Sequence, residues 1–240
     1  MVGTRCPVSK KNDKRDRQSL RNSCRDRKGG VMEQSVTIKI DTVTLEGTLG
    51  LPEQAKGVVL FAHGSGSSRL SPRNTYVARV LQQAGIGTLL FDLLTKEEDR
   101  IYEQRFDIDL LSRRLVGATR WLSERPELKG AALGYFGAST GAAAALQGAS
   151  QLGAVIKAVV SRGGRPDLAI PCLEKVLAPT LLIVGELDTE VLQLNRQALS
   201  HLAVEKELAV VPGATHLFEE PGTLEQAANL AKNWFVRFLG

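Results

Sequence analysis

The chain has 240 residues, 43% hydrophobic and 24% charged, a balance typical of a soluble globular domain. No run approaches the roughly 18 consecutive apolar residues that a membrane-spanning helix needs, so we expect no membrane span. The net charge of +5 comes from residues 1–30, which hold ten Lys or Arg and three Asp, because the remaining 210 residues carry −2.

Residues 1–34 form a predicted basic tail, and we place the folded domain at residues 35–240. Low hydrophobicity and like charge predict that the tail is disordered. Basic arms can bind nucleic acid or an anionic surface, and leaders can direct import, but residues 1–30 lack an apolar signal core and contain three Asp. Met32 precedes the first patterned segment, so we favour a non-functional upstream extension and do not expect nucleic acid as a partner.

The three cysteines are Cys6, Cys24 and Cys172. Two of them fall in the tail, and the third cannot build a disulfide framework alone. This usage favours a reducing compartment, and we expect a cytoplasmic protein.

Strand patterns begin directly after the tail. Ser35–Ile40 and Val43–Leu51 alternate apolar and polar residues around a short turn, which predicts an antiparallel hairpin at a sheet edge. Six apolar runs follow, each suited to a buried strand: Gly57–Ala62, Thr88–Phe91, Ala131–Phe136, Ile156–Val160, Thr180–Val184 and Glu207–Val211.

Helical patterns alternate with these strands. Thr223 and Gln226 predict a capping box at the start of the last helix. An apolar stripe at spacings of 3 and 4 predicts another helix: Ile108, Leu111, Leu115, Ala118 and Leu122. The alternation predicts an α/β fold, with a mostly parallel central sheet covered by helices on both faces and an antiparallel N-terminal edge hairpin.

The first candidate for chemistry lies at the carboxyl end of a predicted strand, where reactive groups gather in open parallel sheets. Gly137-Ala138-Ser139-Thr140-Gly141 is a G-x-S-x-G motif between a strand and a run of small residues typical of a closely packed helix. A nucleophile in this turn has strained backbone geometry and needs small neighbours. We predict Ser139 as the nucleophile; a glycine-rich turn without chemistry is the alternative.

A candidate acid follows the strand Thr180–Val184. Asp188 could accept the Nδ1 proton of a histidine and so fix its tautomer. It could equally cap the helix predicted near Glu190. Glu186 and Glu190 are rival acids at the same strand end.

The candidate base is His216, in the loop after the last strand, where it could reach Ser139. His201 falls within a predicted helix and is most simply a surface residue. Ser139, Asp188 and His216 follow each other in the chain order of the α/β-hydrolase triad, each after a strand.

The loop His63-Gly64-Ser65-Gly66 follows the first buried strand. An oxyanion hole takes one backbone N–H from this early loop and one from the residue after the nucleophile, so we predict Ser65 and Thr140 as the donors. His63 is expected to be a structural hydrogen-bonding residue. A dinucleotide fingerprint with Asp92 as ribose ligand fails, because Arg69 stands where its third glycine should be.

Together these motifs resemble the α/β-hydrolase superfamily, specifically its small members related to dienelactone hydrolase. The resemblance covers about residues 35–240 and rests on His63–Gly66, Gly137–Gly141, Gly185–Asp188 and Gly213–His216. It implies that fold, acyl-ester hydrolysis without cofactor or metal, and a triad of Ser139, Asp188 and His216. Dienelactone hydrolase itself has a cysteine nucleophile, so serine here favours an esterase acting on small carboxylic esters or lactones.

The expected surroundings of the site follow from the loops. The short segment after Ile156–Val160 leaves no room for a lid, which predicts an open site for a small-molecule ester. Four arginines in loops near that face could bind an anionic substrate group, although we favour surface or loop-anchoring roles: Arg69, Arg73, Arg162 and Arg165. A slow or inactive binding protein with the same triad is the alternative function.

Overall fold

A computed structural model describes residues 25–28 and 30–240. Within them, nine strands form one sheet in the order β1-β2-β3-β5-β4-β6-β7-β8-β9. The strands are β1 Arg25–Lys28, β2 Val31–Ile40, β3 Val43–Pro52, β4 Gly57–Ala62, β5 Ile86–Phe91, β6 Ala132–Ala138, β7 Ile156–Arg162, β8 Thr180–Gly185 and β9 Lys206–Val211. Strands β1 to β3 pair antiparallel at one edge, β3 is antiparallel to β5, and all pairs from β5 to β9 are parallel. The predicted mostly parallel sheet with an antiparallel edge hairpin is confirmed.

Helices cover both faces of this sheet. They are α1 Pro72–Gln83, α2 Ile108–Ser123, α3 Thr140–Leu152, α4 Ile170–Leu173, α5 Thr189–His201 and α6 Thr223–Leu239. One apolar core lies between the sheet and α2, α3 and α5, and a second lies between the sheet and α1 and α6. No helix in the described part of the chain combines the length and apolarity needed to cross a bilayer.

The predicted apolar runs form strands of the sheet, and helices cover both faces of that sheet. Every residue of β4, β5 and β8 is buried, as continuous apolar runs require. The predicted stripe on α2 also faces the core: Leu111, Leu115, Ala118 and Leu122 are buried. Asp107 begins this helix, and its side chain accepts a hydrogen bond from the Leu110 amide.

The structure corrects two predictions about where elements begin. Strand β2 starts at Val31, before the predicted boundary at residue 35, because β3 runs on to Pro52 and gives the backbone from Val31 a partner. Strand β1, Arg25–Lys28, pairs with β2 and lies within the predicted tail. The predicted disorder of residues 1–24 and 29 lies outside the described residues.

The capping box at the last helix is also wrong. Gly222, with φ +79°, is the cap residue, so Thr223 is already helical. Its hydroxyl instead donates to the Glu220 carbonyl oxygen at 2.7 Å.

Candidate active site

Ser139 lies between β6 and α3 in the strained geometry that the G-x-S-x-G motif predicts. Its φ is +52°, a value that side-chain-bearing residues rarely adopt. Its carbonyl oxygen accepts hydrogen bonds from the amides of Ala142 and Arg165, both at 3.0 Å. These bonds hold the turn from both sides, so the Ser139 side chain is fixed at the carboxyl edge of the sheet.

Two neighbouring glycines permit this turn because their α-carbons lie against other backbone. A Cβ on Gly137 would lie 2.4 Å from the Cα of Ala142, and one on Gly64 would lie 3.1 Å from the Ala138 carbonyl oxygen and 3.0 Å from the Cβ of Ser139. The glycines of the sequence motifs therefore bring the strand, the helix and the early loop into contact around the serine.

His216 and Asp188 are joined directly. His216 Nδ1 lies 2.6 Å from Asp188 Oδ2, and the side chains are 40% and 13% exposed. Asp188 occupies the cap position of α5 but makes no side-chain cap bond there. The carboxylate therefore contacts the imidazole and makes no side-chain bond to the start of the helix.

Among the described residues, the partner of His216 Nδ1 is Asp188 and not either of the rival acids. The Glu186 carboxylate accepts the Gly213 amide at 2.9 Å, and Glu190 lies in the first turn of α5. The amide of Leu187 donates to the Ala214 carbonyl oxygen at 2.9 Å. These bonds tie the loop after β8 to the loop after β9, which sets the distance between Asp188 and His216.

The turn after β7 lies next to both the nucleophile and the base. The Ser139 amide donates to the Arg162 carbonyl oxygen at 3.4 Å. A Cβ on the next residue, Gly163, would be 3.6 Å from His216 Nδ1. Ser139 and His216 thus flank the same turn.

The two predicted oxyanion donors are neighbours, but one is engaged. The Ser65 amide donates to Thr140 Oγ1 at 3.0 Å, so in this structure it points at the Thr140 hydroxyl. Thr140 is the first residue of α3, where backbone amides lack a partner within the helix. Sequence reasoning identified the two backbone positions but not the hydroxyl between them.

His63 is a structural residue, as its motif predicts. Its Nε2 accepts the Leu93 amide at 3.0 Å, which leaves Nδ1 to donate to the Gly64 carbonyl oxygen at 3.0 Å. Burial lowers the pKa of His63 below its ordinary 6.5, against a smaller opposing effect of the Gly64 bond.

Stability is therefore expected to fall as the pH drops below about 6.5. The unfolded chain binds a proton at His63 near that pH, whereas the folded protein does so only at lower pH, so acid favours unfolding. Urea denaturation at several pH values checks this. A His63→Gln variant should show a shallower loss between pH 6.5 and 5, and a His201→Gln control should keep the wild-type slope. Equal slopes in all three proteins would contradict the assignment.

Three of the four predicted substrate-binding arginines are paired with acids. Arg69 pairs with Asp92 and, at 2.6 Å, with Glu46. These pairs anchor the early loop to the edge strands, which is the role that the sequence favours for Arg69. Arg165 pairs with Asp167 at 2.8 Å.

Arg73 and Arg162 differ from their predicted loop positions. Arg73 lies in the first turn of α1 and reaches Glu219 at 3.2 Å. Arg162 is the last residue of β7 and is 7% exposed. The burial of Arg162 was not predicted from the sequence. A signal was present, because this charged residue ends an apolar strand and two glycines follow it.

No group of three or more His, Cys, Asp or Glu side chains in the described part of the chain is placed to hold a metal ion. A cavity of about 740 Å³ lies at the amino edge of the sheet, beside Leu51, Lys56 and Ala131. It is at the edge opposite Ser139, so it is not part of the candidate site.

Comparison with known proteins shows the family of the chain. Residues 45–240 match the sequence model of the Dienelactone hydrolase family. The chain belongs to the dienelactone hydrolase family. A solved dienelactone hydrolase from Anabaena variabilis is 54% identical with a TM-score of 0.85, and the match covers 88% of this chain and 100% of that one. Est1E from Butyrivibrio proteoclasticus shares the fold at 14% identity, with a TM-score of 0.74 over 85% of this chain and 98% of its own.

Longer relatives of this dienelactone hydrolase family member also exist. Two Mycobacterium tuberculosis proteins, provisionally named phosphoribosyl transferases, are 55% identical over 207 residues. The match covers 86% of this chain but 47% of theirs, so the chain spans about half the length of these relatives.

The predicted absence of an inserted lid fits the segment after β7. Between Arg162 and Thr180, this family member has only a short 3-10 helix, Pro166–Ala169, and the one-turn helix α4. The chain therefore has the α/β-hydrolase fold of its family, with a short connection where the site opens.

Proposed function

We propose that the chain is a serine hydrolase that cleaves small carboxylic esters or lactones through an acyl-enzyme intermediate. One observation carries the proposal: the Asp188–His216 hydrogen bond of 2.6 Å stands beside the turn that holds Ser139 at φ +52°. A nucleophile in strained geometry and a histidine oriented by a carboxylate are the parts that this chemistry requires.

In the first half of the proposed reaction, His216 Nε2 removes the proton of Ser139 Oγ, and Oγ forms a bond to the ester carbonyl carbon. The carbonyl oxygen becomes an oxyanion. The bond to the leaving oxygen then breaks, and the imidazolium of His216 returns its proton to the departing alcohol. Asp188 stays a carboxylate and stabilises the imidazolium through Nδ1.

In the second half, water replaces the alcohol. His216 takes a proton from water, the hydroxyl attacks the acyl carbon, and the bond to Ser139 Oγ breaks as the proton returns to it. The products are a carboxylic acid and the free enzyme, so no cofactor enters the balance.

We propose that the oxyanion accepts hydrogen bonds from the backbone amides of Thr140 and Ser65. The Thr140 amide lies at the start of α3, where the helix end is positive and its donors are open. The Ser65 amide is bound to Thr140 Oγ1 at 3.0 Å. It can serve only when that hydroxyl releases it, so the proposal includes an exchange of the hydroxyl oxygen for the oxyanion. Each donor is typically worth about 3–4 kcal/mol in the transition state.

The proposed substrates are small because the site is open. The similar Anabaena protein is named a dienelactone hydrolase, but serine stands at position 139 here, which favours general carboxylic esters or lactones. The name phosphoribosyl transferase belongs to relatives about twice as long, and we propose that this name concerns the part that the chain does not share.

Covalent labelling with a fluorophosphonate tests the proposal. We expect one phosphonyl adduct, on the peptide that contains Ser139, together with steady hydrolysis of p-nitrophenyl acetate. His216→Gln should label about 10²–10⁴-fold more slowly, because the general base is lost. The matched control is His201→Gln. His201 is the last residue of α5, and this variant should label at the wild-type rate.

Two outcomes would contradict this assignment. Labelling of another serine would remove Ser139 from its role. Labelling of Ser139 without steady turnover would indicate a binding protein that retains the triad, and not a hydrolase.

A further inference from the structure

Arg162 is a buried charge that forms no ion pair within residues 25–28 and 30–240. The residue is 7% exposed, and its Nε and Nη1 have no hydrogen-bond partner. It takes part in none of the ion pairs among the described residues. Arg114 is as deeply buried, yet its guanidinium meets the Glu98 carboxylate at 2.7 Å. A buried cation that lacks such a partner is costly to maintain.

Among the described residues, the Arg162 guanidinium faces an aromatic ring and is affected by a second cation. Its guanidinium carbon lies 5.6 Å from the ring centroid of Phe218. Burial, and then the positive charge of Arg73, lower the pKa of Arg162 to about 10. The side chain is therefore still a cation at neutral pH, and the neighbouring Arg73 repels it.

Arg162 also lies next to the proposed reacting groups. Its backbone pairs with Ala138, the residue before the nucleophile, and its carbonyl oxygen accepts the Ser139 amide. Phe218 follows His216 by two residues, in the same loop. The Arg162 backbone is thus bonded to the strand and turn that carry the nucleophile, and its guanidinium lies over a ring of the loop that carries the base.

We propose that Arg162 binds an oxyanion group of the substrate, a carboxylate or a phosphate, and so selects anionic esters. The inference rests on the proposed hydrolase function. A planar guanidinium with free N–H groups can hold such a group through two charge-assisted hydrogen bonds. The anion would supply the counter-charge that the described part of the chain does not provide.

Arg73 stands at the rim of this subsite. Its side chain is 34% exposed and is partly neutralised by Glu219 at 3.2 Å. An exposed pair of this kind contributes little binding energy, so the selectivity is assigned to Arg162.

Three p-nitrophenyl esters of similar length test the proposal: the monoesters of succinate and of 3-phosphonopropionate, which carry a carboxylate or a phosphonate, and the neutral pentanoate. The ratio of kcat/KM for each anionic ester to that for pentanoate is the readout. Arg162→Met should lower the ratio about 10- to 100-fold for the preferred anion, as expected for lost hydrogen bonds to a charged group. The anion with the higher wild-type ratio identifies the chemistry of the group.

The matched control is Arg237→Met. Arg237 also lies over an aromatic ring, 4.7 Å from the Phe238 centroid, but on α6 and paired with Glu205. Its ratios should equal those of the wild type. An unchanged ratio in Arg162→Met, or an equal fall for all three esters, would overturn the proposal, since a structural role of Arg162 moves all substrates alike.

Binding to an inactive protein separates this inference from the proposed function. Calorimetric titration of Ser139→Ala with succinate and with inorganic phosphate should detect binding of one anion, weakened about 10- to 100-fold by adding Arg162→Met. Binding of this kind in a protein whose wild type hydrolyses no ester would refute the hydrolase and retain the anion subsite. Ester hydrolysis with no Arg162-dependent binding or selectivity would retain the hydrolase and refute the anion subsite.

Discussion

Ser139→Ala is expected to lower kcat for p-nitrophenyl acetate by about 10⁴- to 10⁶-fold, the range found when a serine nucleophile of a triad is removed. The alanine variant has no oxygen to form the acyl bond, although the proposed oxyanion donors and the Asp188–His216 pair remain. The residual rate then reflects those groups alone. Stopped assays at high enzyme concentration are needed to measure it.

The fold of this variant should be retained, because alanine keeps the backbone of residue 139 and removes one oxygen. Ser123→Ala is the matched control: its hydroxyl donates to the Thr119 carbonyl oxygen on α2, away from the proposed site, and its turnover should be that of the wild type. Unreduced turnover by Ser139→Ala, with purity confirmed by mass, would end the assignment of the nucleophile.

The sheet could be predicted because its strands are buried on both faces. Gly57–Ala62 and Thr180–Val184 are continuous apolar runs, and every residue of both is buried. Periodicity says less about where pairing stops. Val31 joins β2 only because β3 extends to Pro52, which is a property of the partner strand.

The candidate site was predictable in position but not in detail. Asp188 could be a helix cap or the partner of a histidine, since both roles call for a carboxylate at the same place after a strand. The two roles differ only in the direction of the side chain, which is set by bonds between distant loops such as Leu187 to Ala214. The engagement of the Ser65 amide and the burial of Arg162 likewise depend on tertiary contacts.

Energetically unfavourable features of the fold lie around the proposed site. Among the described residues, three non-glycine residues have a positive φ: Asp41, Ser139 and Phe218. Two of these belong to the nucleophile turn and the His216 loop. Arg162, which forms no ion pair in the described part of the chain, is bonded to the first through its backbone and lies over the ring of Phe218 in the second. Strain and uncompensated charge persist where the surrounding packing fixes them, and their shared location supports a functional origin.

Gly141→Ala is expected to cost more stability than other small substitutions in the chain. A Cβ at this position would lie 2.1 Å from the Ala62 carbonyl oxygen and 2.5 Å from that of His63. Both contacts are to backbone, so either α3 or the end of β4 must move. We expect the free energy of unfolding to fall by about 3 kcal/mol or more, and kcat to fall with it because the shift displaces the Thr140 amide. Urea denaturation and ester assays measure the two effects.

Gly148→Ala, in the same helix, is the matched control. There the Cβ would meet side chains and no backbone: the edge of the Tyr135 ring at 3.3 Å, Val116 at 3.5 Å and Leu115 at 3.7 Å. Alanine also favours the helix by about 1 kcal/mol over glycine. A small net change of either sign is therefore expected, with kcat unchanged. If Gly141→Ala were as stable and active as this control, α3 could not be packed directly on the end of β4. The amides proposed for the oxyanion would then have no fixed position, because that contact is what sets Thr140 beside Ser65.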